Sequence, residues 1–312
     1  MRLCSLSIGT FAIAVGLLGG AAIAQAANES WVSGTGTDTG TCPISAPCRT
    51  FSFAHSQTNN NGSINVLTSG NFGPLTITKP ISIVADGVEA LINAAANGAG
   101  IKIQAGANAV VSLRGLTIDM RGTDNDGIQF ISGAALHLHD SFIRRSYFGV
   151  RFWPASGTSE LYIADSVVEE SFGSGVSVIP NGNAGAKVGL DRVRVEEGVN
   201  HGITFLGSST TGSITAMVRD CISAGNGGSG IGVNEFGGGT TTVMVDRSAA
   251  MNNTTGITAS GGGVTVRIGR STVTGNNVGL SAFSAGVIRS YGTNKVNGNG
   301  TDGDPSSTIA SQ

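Results

Sequence analysis

A glycine followed by alternating apolar residues recurs along the chain, and this repeat constrains the fold more than any other feature. Successive glycines are 22 to 28 residues apart, about 26 on average. A period of this length is typical of solenoids, in which each repeat packs only against its neighbours. The repeats begin at Gly100, Gly127, Gly149, Gly175, Gly202, Gly230, Gly256 and Gly279.

Each repeat contains three short alternating strands. Strands this short cannot form a separate sheet, and no segment of helical period lies between the repeats. We therefore predict that every strand pairs in parallel with its equivalent one coil away, at a spacing of about 4.8 Å. The residues after the glycines then form an inward column: Ile101, Ile128, Val150, Val176, Ile203, Ile231, Ile257 and Leu280.

Two positions of the repeat, a glycine and an aspartate, are predicted to shape its corners. The glycines supply the positive φ that a sharp corner needs. An aspartate follows each second strand, where its short acceptor side chain can bond backbone N–H groups. This second column comprises Asp140, Asp165, Asp191, Asp220 and Asp246.

The composition agrees with short strands and tight turns. Of 312 residues, 49 are glycine and only 12% are charged, with a formal net charge of −2. Glycine does not fall at every third position, which excludes collagen, and the sparse charge argues against coiled coils and charge-driven disorder. The chain contains only four lysines and no basic patch, so nucleic acid is not an expected partner.

Residues 1–26 have the pattern of a secretory signal peptide. Arg2 precedes an apolar run centred on residues 11–18, and two small-residue sites, Ala22-Ile23-Ala24 and Ala24-Gln25-Ala26, close it. The alternative is an uncleaved membrane anchor, because the run is nearly long enough to span a bilayer. No membrane span is predicted after residue 27, so we expect the mature chain to be secreted or periplasmic.

Three cysteines follow the predicted cleavage site. Cys42 and Cys48 are six positions apart and are predicted to form a disulfide, which suits an oxidising compartment. Cys221 has no partner in the repeat and is interpreted as a packed thiol.

The start of the mature chain resembles a known superfamily. Trp31-Val32-Ser33, Pro47-Cys48-Arg49-Thr50-Phe51, Ile64-Asn65-Val66-Leu67 and Leu75-Thr76-Ile77 are similar to the beginning of right-handed parallel β-helix proteins of the pectin-lyase-like superfamily. The resemblance covers roughly residues 31–300. It implies an all-β, single-stranded, right-handed parallel β-helix solenoid of about eight to ten coils of three short strands, with an N-terminal capping helix within residues 50–58.

These features divide the chain into four predicted segments. Residues 1–26 are the signal peptide, and residues 27–62 are the N-terminal lead-in and cap. Residues 63–300 are the parallel β-helix, and residues 301–312 form a polar tail without a strand pattern.

The superfamily includes polysaccharide lyases, polygalacturonase-like hydrolases and uronate epimerases, whose signatures the chain matches only in part. Asp124-Asn125-Asp126 resembles the first triplet of the hydrolases, but no carboxylate follows one coil on. Asn200-His201-Gly202 echoes their histidine motif three coils away. Inverting hydrolysis needs two carboxylates flanking the bond. No catalytic residue is therefore assigned, and Asp124 and Asp126 are interpreted as turn residues.

Two clusters are candidate metal sites. Glu169, Glu170, Glu196 and Glu197 occupy equivalent turns of neighbouring coils and offer oxygen ligands for Ca²⁺. The preferred interpretation is an Arg–Glu ladder, because Arg144 and Arg145 occupy the same place in the preceding coil. His137 and His139, with Tyr162 one coil on, give too few ligands for a metal site. No cofactor is predicted, with Ca²⁺ as the open alternative.

The outer face of the first strands is the predicted ligand-binding surface. Alternation places Gln129, Arg151, Ser177 and Thr204 outward, and two residues later an apolar stripe of Ile131, Trp153, Ile179 and Leu206. Aromatic surface beside Arg and Gln suits sugar stacking with polar orientation. The alternatives are that turns fold over the stripe or that it is buried in an oligomer contact. The predicted ligand-binding residues are Gln129, Arg151, Trp153 and Thr204.

Three functions remain open from the sequence. The preferred one is a non-catalytic exported β-helix module, a rigid surface or periplasmic protein that binds polysaccharide. The second is a lyase, hydrolase or epimerase acting on acidic polysaccharide, and the third is a structural adhesin or spike segment of undetermined oligomeric state. The fold does not decide between them, because function depends on the sites carried by a fold.

Overall fold

A computed structural model describes residues 27–93 and 98–310. The predicted signal peptide, residues 1–26, lies outside the described residues. The described chain winds through three parallel sheets in turn, so that each strand pairs with its equivalent in the next coil. The predicted parallel solenoid is therefore confirmed.

Strands are numbered here in chain order. Sheet 1 collects the first strand of each repeat and has nine strands, so the described chain forms nine coils, within the predicted eight to ten. Its members are β4 (Leu75–Ile77), β7 (Ile101–Gln104), β10 (Ile128–Ser132), β13 (Val150–Phe152), β16 (Ser174–Val178), β19 (His201–Leu206), β22 (Ser229–Asn234), β25 (Thr255–Ser260) and β28 (Val278–Phe283).

Sheet 2 collects the second strands and has twelve. They are β1 (Ala27–Val32), β2 (Thr58–Val66), β5 (Ile81–Val84), β8 (Val110–Arg114), β11 (Ala135–His139), β14 (Thr158–Ala164), β17 (Gly185–Asp191), β20 (Ser213–Arg219), β23 (Thr240–Asp246), β26 (Val264–Gly269), β29 (Val287–Ser290) and β31 (Ser307–Thr308).

Sheet 3 collects the third strands and has ten. They are β3 (Gly70–Asn71), β6 (Ala90–Asn93), β9 (Leu116–Asp119), β12 (Phe142–Arg144), β15 (Val167–Glu169), β18 (Arg194–Glu196), β21 (Ile222–Ala224), β24 (Ala249–Met251), β27 (Thr272–Thr274) and β30 (Lys295–Val296).

The core is a set of columns that run along the solenoid axis. The predicted column from Ile101 to Leu280 is buried at every coil. Beside it, the rings of Phe130 and Phe152 stack with centroids 4.4 Å apart. In-register stacking of β-branched and aromatic side chains explains how such short strands are held in place.

A short helix and a disulfide loop cover the N-terminal end of the core. Helix α1 (Phe51–Gln57) lies within the predicted residues 50–58, and its N-cap Thr50 accepts a hydrogen bond from the Phe53 N–H at 3.2 Å. Phe51 packs against Phe72 on the first coil, with ring centroids 5.0 Å apart. Cys42 and Cys48 are joined by a disulfide in the loop before the helix. The cap shields the apolar end of the column from water.

The division at residues 62 and 63 between lead-in and β-helix does not match the strands. Strand β2 runs across it, and β1 already pairs with β2 in parallel from Ser30↔Ile64 to Val32↔Val66. The lead-in is therefore part of sheet 2.

The reason predicted for the repeat glycines is wrong. None of the eight has a positive φ; the left-handed corners are instead occupied by residues such as Asp140, Arg145 and Glu170, at φ 48°, 52° and 53°. The glycines are needed for space. A Cβ on Gly149 would come within 2.2 Å of Cγ1 of Val168 and 2.5 Å of the Gly175 carbonyl oxygen. The corner from sheet 3 to sheet 1 is too tight for a side chain.

The predicted aspartate column is in fact two adjacent columns. Asp191 and Asp246 end their strands, whereas Asp140, Asp165 and Asp220 lie one residue further on, in the left-handed corner. Arginines fill other places of the two columns, and most of these aspartates pair with an arginine one coil on. Bidentate examples are Arg192 on Asp165, at 2.6 and 2.8 Å, and Arg247 on Asp220, at 2.7 Å twice.

An asparagine ladder runs inside the corner before sheet 1. Each backbone N–H donates to the amide oxygen of the asparagine one coil on: Asn226 to Asn253 at 3.0 Å, Asn253 to Asn276 at 2.9 Å, and Asn276 to Asn299 at 3.0 Å. These buried amides satisfy backbone groups that the turning chain leaves without a strand partner.

Part of the predicted polar tail, residues 301–312, forms a short strand. Strand β31 pairs with β29 as Arg289↔Ser307 and Ser290↔Thr308, and the Leu280 N–H donates to the Asp302 carbonyl at 2.9 Å. The last coil would otherwise leave these backbone groups unpaired, and a segment with one solvent-facing side needs no apolar pattern.

Candidate functional site

The candidate site lies on the outer face of sheet 1, where three polar side chains stack in register. Lys102 of β7, Gln129 of β10 and Arg151 of β13 are paired neighbours, and all point away from the core. Alternation along each strand explains this placement, because Ile101, Ile128 and Val150 point inward. The predicted outward direction of Gln129 and Arg151 therefore matches the strand register.

Arg151 is held by two aromatic rings. Its guanidinium carbon lies 4.4 Å from the ring centroid of Trp153 and 5.2 Å from that of Phe148. Such cation–π contacts are each worth about 0.5–2 kcal/mol, depending on desolvation. The Nε of Arg151 is buried and has no hydrogen-bond partner among the described residues. The rings, rather than a carboxylate, fix the direction of this side chain.

Asp126 lies at the inner edge of the site and is only 7% exposed. Its Oδ2 accepts a hydrogen bond from Nε2 of Gln129 at 3.1 Å and lies 3.7 Å from Nη1 of Arg151. Burial raises the pKa of Asp126 above its usual 3.8, although Arg151 and the hydrogen bonds from the Phe148 N–H and Gln129 oppose the shift. A carboxyl group of this kind exchanges protons at a higher pH than an exposed aspartate.

Asp126, Gln129 and Arg151 line a groove of about 520 Å³. Its other walls are formed by Tyr147 and by residues 98, 99, 124 and 125 of the preceding turns. Asp124 is exposed at the rim. Asp126, interpreted as a turn residue, instead faces the groove, where its carboxylate contacts side chains of two coils.

Thr204 is a correction to the predicted site. It points outward by alternation, but it is 2% exposed, and its hydroxyl is hydrogen-bonded to that of Ser177 at 2.9 Å. Thr204 is therefore buried against its strand neighbours and does not line the groove. The apolar stripe of Ile131, Trp153, Ile179 and Leu206 is half-buried at all four coils. The stripe is therefore neither fully exposed nor fully buried, and Trp153 lies beside Arg151.

The acidic cluster keeps its predicted positions, but the Arg–Glu ladder does not form. Arg144 is in register with Glu169, yet Arg144 and Arg145 donate to Asp119 of the preceding coil, at 3.1 and 2.9 Å. Burial pushes the pKa of Asp119 upward, but hydrogen bonds from Arg145 and the Arg121 N–H outweigh this and hold it below 3.8. The two arginines pair with Asp119 rather than with the glutamates because Asp119 is nearly buried and contacts both guanidinium groups.

The four glutamates lie beyond these arginines. Glu169 pairs in register with Glu196, and Glu196 accepts from Arg194 at 2.8 and 3.0 Å. Burial, together with Glu170, Glu197 and Glu196, raises the pKa of Glu169, while Arg144 opposes the shift.

His137 and His139 point outward on sheet 2, and His137 pairs with Tyr162 as predicted. The Tyr162 ring lies 6.4 Å from the His137 ring and 5.4 Å from the His139 ring, between centroids. Across residues 27–93 and 98–310, no three His, Cys, Asp or Glu side chains are grouped so that they could hold a metal ion. In the same ranges, no helix has the length and apolar character needed to cross a bilayer.

Solved structures share this architecture. The structure of pectate lyase Pel9A superposes with a TM-score of 0.59 at 13% identity, covering 84% of this chain and 74% of that one. The protein has the right-handed parallel β-helix fold. A second β-helix, the A-module of the Azotobacter vinelandii mannuronan C-5 epimerase AlgE4, matches at 11% identity with a TM-score of 0.41, covering 80% of this chain and 91% of that one. No protein-family model and no curated protein sequence matches this β-helix.

Sequence reasoning missed three residues of the candidate site on this β-helix. Lys102 is in the same column as Gln129, which the period of the repeat could have shown. Tyr147 and Asp126 approach Arg151 only through the path of the turns, and turns carry no periodic signal.

Proposed function

We propose that the protein is an exported, non-catalytic β-helix module that binds an acidic polysaccharide in the groove on sheet 1. Export is inferred from the signal-peptide pattern of residues 1–26 and from the Cys42–Cys48 disulfide, which suits a secreted or periplasmic protein. The fold is shared with pectate lyase Pel9A, which by its name acts on pectate.

The observation that carries the binding proposal is the state of the Arg151 guanidinium. Arg192 and Arg247, at the corner after sheet 2, each make bidentate bonds of 2.6–2.8 Å with an aspartate. Within the described residues, the ion-pair partner of Arg151 is Asp126, at 3.7 Å. Its guanidinium is fixed over Trp153 and remains available to a carboxylate of the ligand.

The residues in and beside the groove suit a sugar ring. The half-buried Trp153 offers an aromatic edge on which a sugar packs its C–H face, while the Gln129 amide and the Tyr147 hydroxyl donate to sugar oxygens. Lys102, one coil before Gln129, adds a second cation along the path of the chain. Two cations along one axis favour an extended anionic polymer over a single anion.

The test measures binding and turnover separately. The mature protein is titrated with oligogalacturonate by calorimetry, and the same mixtures are followed for unsaturated products and reducing ends, with and without Ca²⁺. We expect binding without turnover, weakened about tenfold by Arg151→Ala, which corresponds to about 1.4 kcal/mol. The matched control is Arg49→Ala, an arginine near the cap and far from the groove. Unchanged affinity in Arg151→Ala would refute the proposal.

A second candidate function rests on Asp126. A buried carboxyl with a raised pKa beside an arginine is the arrangement that proton abstraction next to a uronate carboxylate needs. Turnover of acidic polysaccharide that Asp126→Asn abolishes while binding persists would establish a lyase or epimerase in place of the non-catalytic module.

A further inference from the structure

A second exposed surface runs along the outer face of sheet 2. Its central column follows the strand register from β14 to β29: Tyr162, Gly189, Met217, Met244, Arg267 and Arg289. Five strand spacings of about 4.8 Å give it a length of about 24 Å. Met217 is 43% exposed, which is unusual for a large apolar side chain in the middle of a sheet.

Two glycines, one in the column and one beside it, leave space on this surface. Adjoining grooves of about 540 and 710 Å³ share Met244, and Gly189 and Gly269 form part of their floors. The ring of Tyr162 leans over Gly189, and that of Tyr291 leans over Gly269 from the opposite side. Met217 and Met244 lie on the strands between those of Tyr162 and Gly269. We call the surface formed by this column, together with Gly269 and Tyr291, the sheet 2 trough.

The trough carries uncompensated positive charge. Lys187 at its side is paired with Glu160 at 3.6 Å, and Arg270 with Asp246. Arg267 and Arg289, which are adjacent in the column, form no ion pair or side-chain hydrogen bond within the described residues. Elsewhere on sheet 2 the arginines are mostly neutralised by aspartates, so this pair stands apart.

We propose that the sheet 2 trough binds an acidic polysaccharide chain along the solenoid axis. Tyr162, Tyr291 and the methionines offer apolar surface for sugar C–H faces, and Thr215 and Thr242 line one side with hydroxyls. Arg267 and Arg289 lie one coil apart, at a spacing of about 4.8 Å, and bind carboxylates along the polymer.

A sugar chain fits the trough better than a peptide does. The strands cross the trough and their N–H and C=O groups are already paired within sheet 2, so no free strand edge exists there to extend. An extended peptide would place its own backbone groups over methionine side chains without partners. A polysaccharide has no such requirement.

Cross-linking of polymers by this protein depends on the proposed function, because it needs the sheet 1 groove to bind a chain as well. The groove and the trough lie on different sheets of one rigid solenoid, so a protein that uses both surfaces holds two polymer chains at once. Binding of the second chain then leads to cross-linking of long polymers.

Two measurements test the trough. The mature protein is titrated with short oligogalacturonate by calorimetry, and is mixed with long polygalacturonate while light scattering is followed. The variants are Arg267→Ala/Arg289→Ala for the trough, Arg151→Ala for the groove, and Lys295→Ala as a control that removes an exposed charge from sheet 3. Thermal unfolding establishes that each variant is folded, and dextran is the uncharged control polymer.

We expect two oligomers per wild-type chain, with scattering that rises and then falls as protein is added. The trough variant and the groove variant each weaken one of the two binding events at least fivefold and abolish cross-linking, whereas Lys295→Ala behaves as wild type. Dextran binds to none of them.

The outcomes separate the two proposals. One oligomer per chain, lost only in Arg151→Ala, overturns the trough and leaves the proposed function standing. One oligomer lost only in the trough variant refutes the groove and supports the trough. Equal binding of dextran, or self-association of the wild type without polymer that the trough variant lacks, overturns the trough as an acidic-polysaccharide site.

Discussion

Oδ2 of Asp126 lies 3.7 Å from Nη1 of Arg151, at the inner edge of the sheet 1 groove. The distance is that of an ion pair without a hydrogen bond, and the carboxyl group is nearly buried. Asp126 therefore competes with an incoming carboxylate for the same guanidinium. Because burial raises its pKa above 3.8, this competition weakens on mild acidification.

Replacing Asp126 by Asn should strengthen the binding of oligogalacturonate at pH 7 by roughly fivefold, since the competing charge is removed. Wild-type affinity should approach that of Asp126→Asn as the pH falls towards the raised pKa. Calorimetry between pH 4.5 and 7.5 measures both. Weaker binding by the variant throughout this range would contradict the competition.

The same substitution should change the pH dependence of stability. The folded protein binds the Asp126 proton more tightly than the unfolded chain does, so this group's contribution to stability is full below the unfolded pKa and falls as the pH rises through the folded pKa. Urea unfolding at several pH values should show that this slope is absent in Asp126→Asn.

Gly149→Ala should destabilise the protein by about 2–3 kcal/mol, because the new methyl group would collide with Val168 and the Gly175 carbonyl. Gly106→Ala is the matched control, since nothing lies within 4 Å of its Cβ position. Chemical unfolding measures both variants. Equal stability of the two would show that the corner can widen at little cost.

Asn253→Ala should cost about 3 kcal/mol. The Asn253 side chain donates to the Ser223 carbonyl at 3.0 Å and accepts from the Asn226 N–H at 3.0 Å, so its loss leaves buried groups unsatisfied. Asn297→Ala, at an exposed side chain, should leave the free energy of unfolding within about 0.5 kcal/mol of wild type. A similar loss in both would refute a special role for the ladder.

Cys221→Ser should be tolerated within about 1 kcal/mol. Cys221 accepts from the Val193 N–H at 3.4 Å, and Ser166 and Ser248 accept in the same way in other coils. Burial raises the pKa of the Cys221 thiol to about 11, so a thiol reagent should react with it only after unfolding. Rapid reaction in the folded protein would show that this corner opens.

The periodic parts of the structure were predictable from the sequence. The inward column from Ile101 to Leu280 and helix α1 follow from alternation and from the need to cap the first coil. The asparagine ladder has the same period as the repeat, since Asn226, Asn253, Asn276 and Asn299 are 27, 23 and 23 residues apart. That signal was present, but its role depends on buried backbone groups that only the folded chain shows.

The site was less predictable because it depends on non-periodic contacts. Alternation places Thr204 on the outer face, but its burial depends on contacts such as the hydrogen bond with Ser177, which alternation does not describe. Arg144 was expected to pair with Glu169, its register neighbour on one side; Asp119, its neighbour on the other side, competes better because it is less exposed. Strand register limits which carboxylates an arginine can pair with, and the burial of those carboxylates decides between them.

The in-register stacking of the coils fixes the distances between surface sites along the solenoid axis. Every surface position has an axial coordinate fixed in steps of about 4.8 Å, and the three sheets fix its bearing around the axis. Inserting one whole coil between β13 and β14 would lengthen the offset between groove and trough by one step and leave the residues of each in place. The geometry with which two ligands are presented to each other is thus encoded in the number of coils rather than in any single residue.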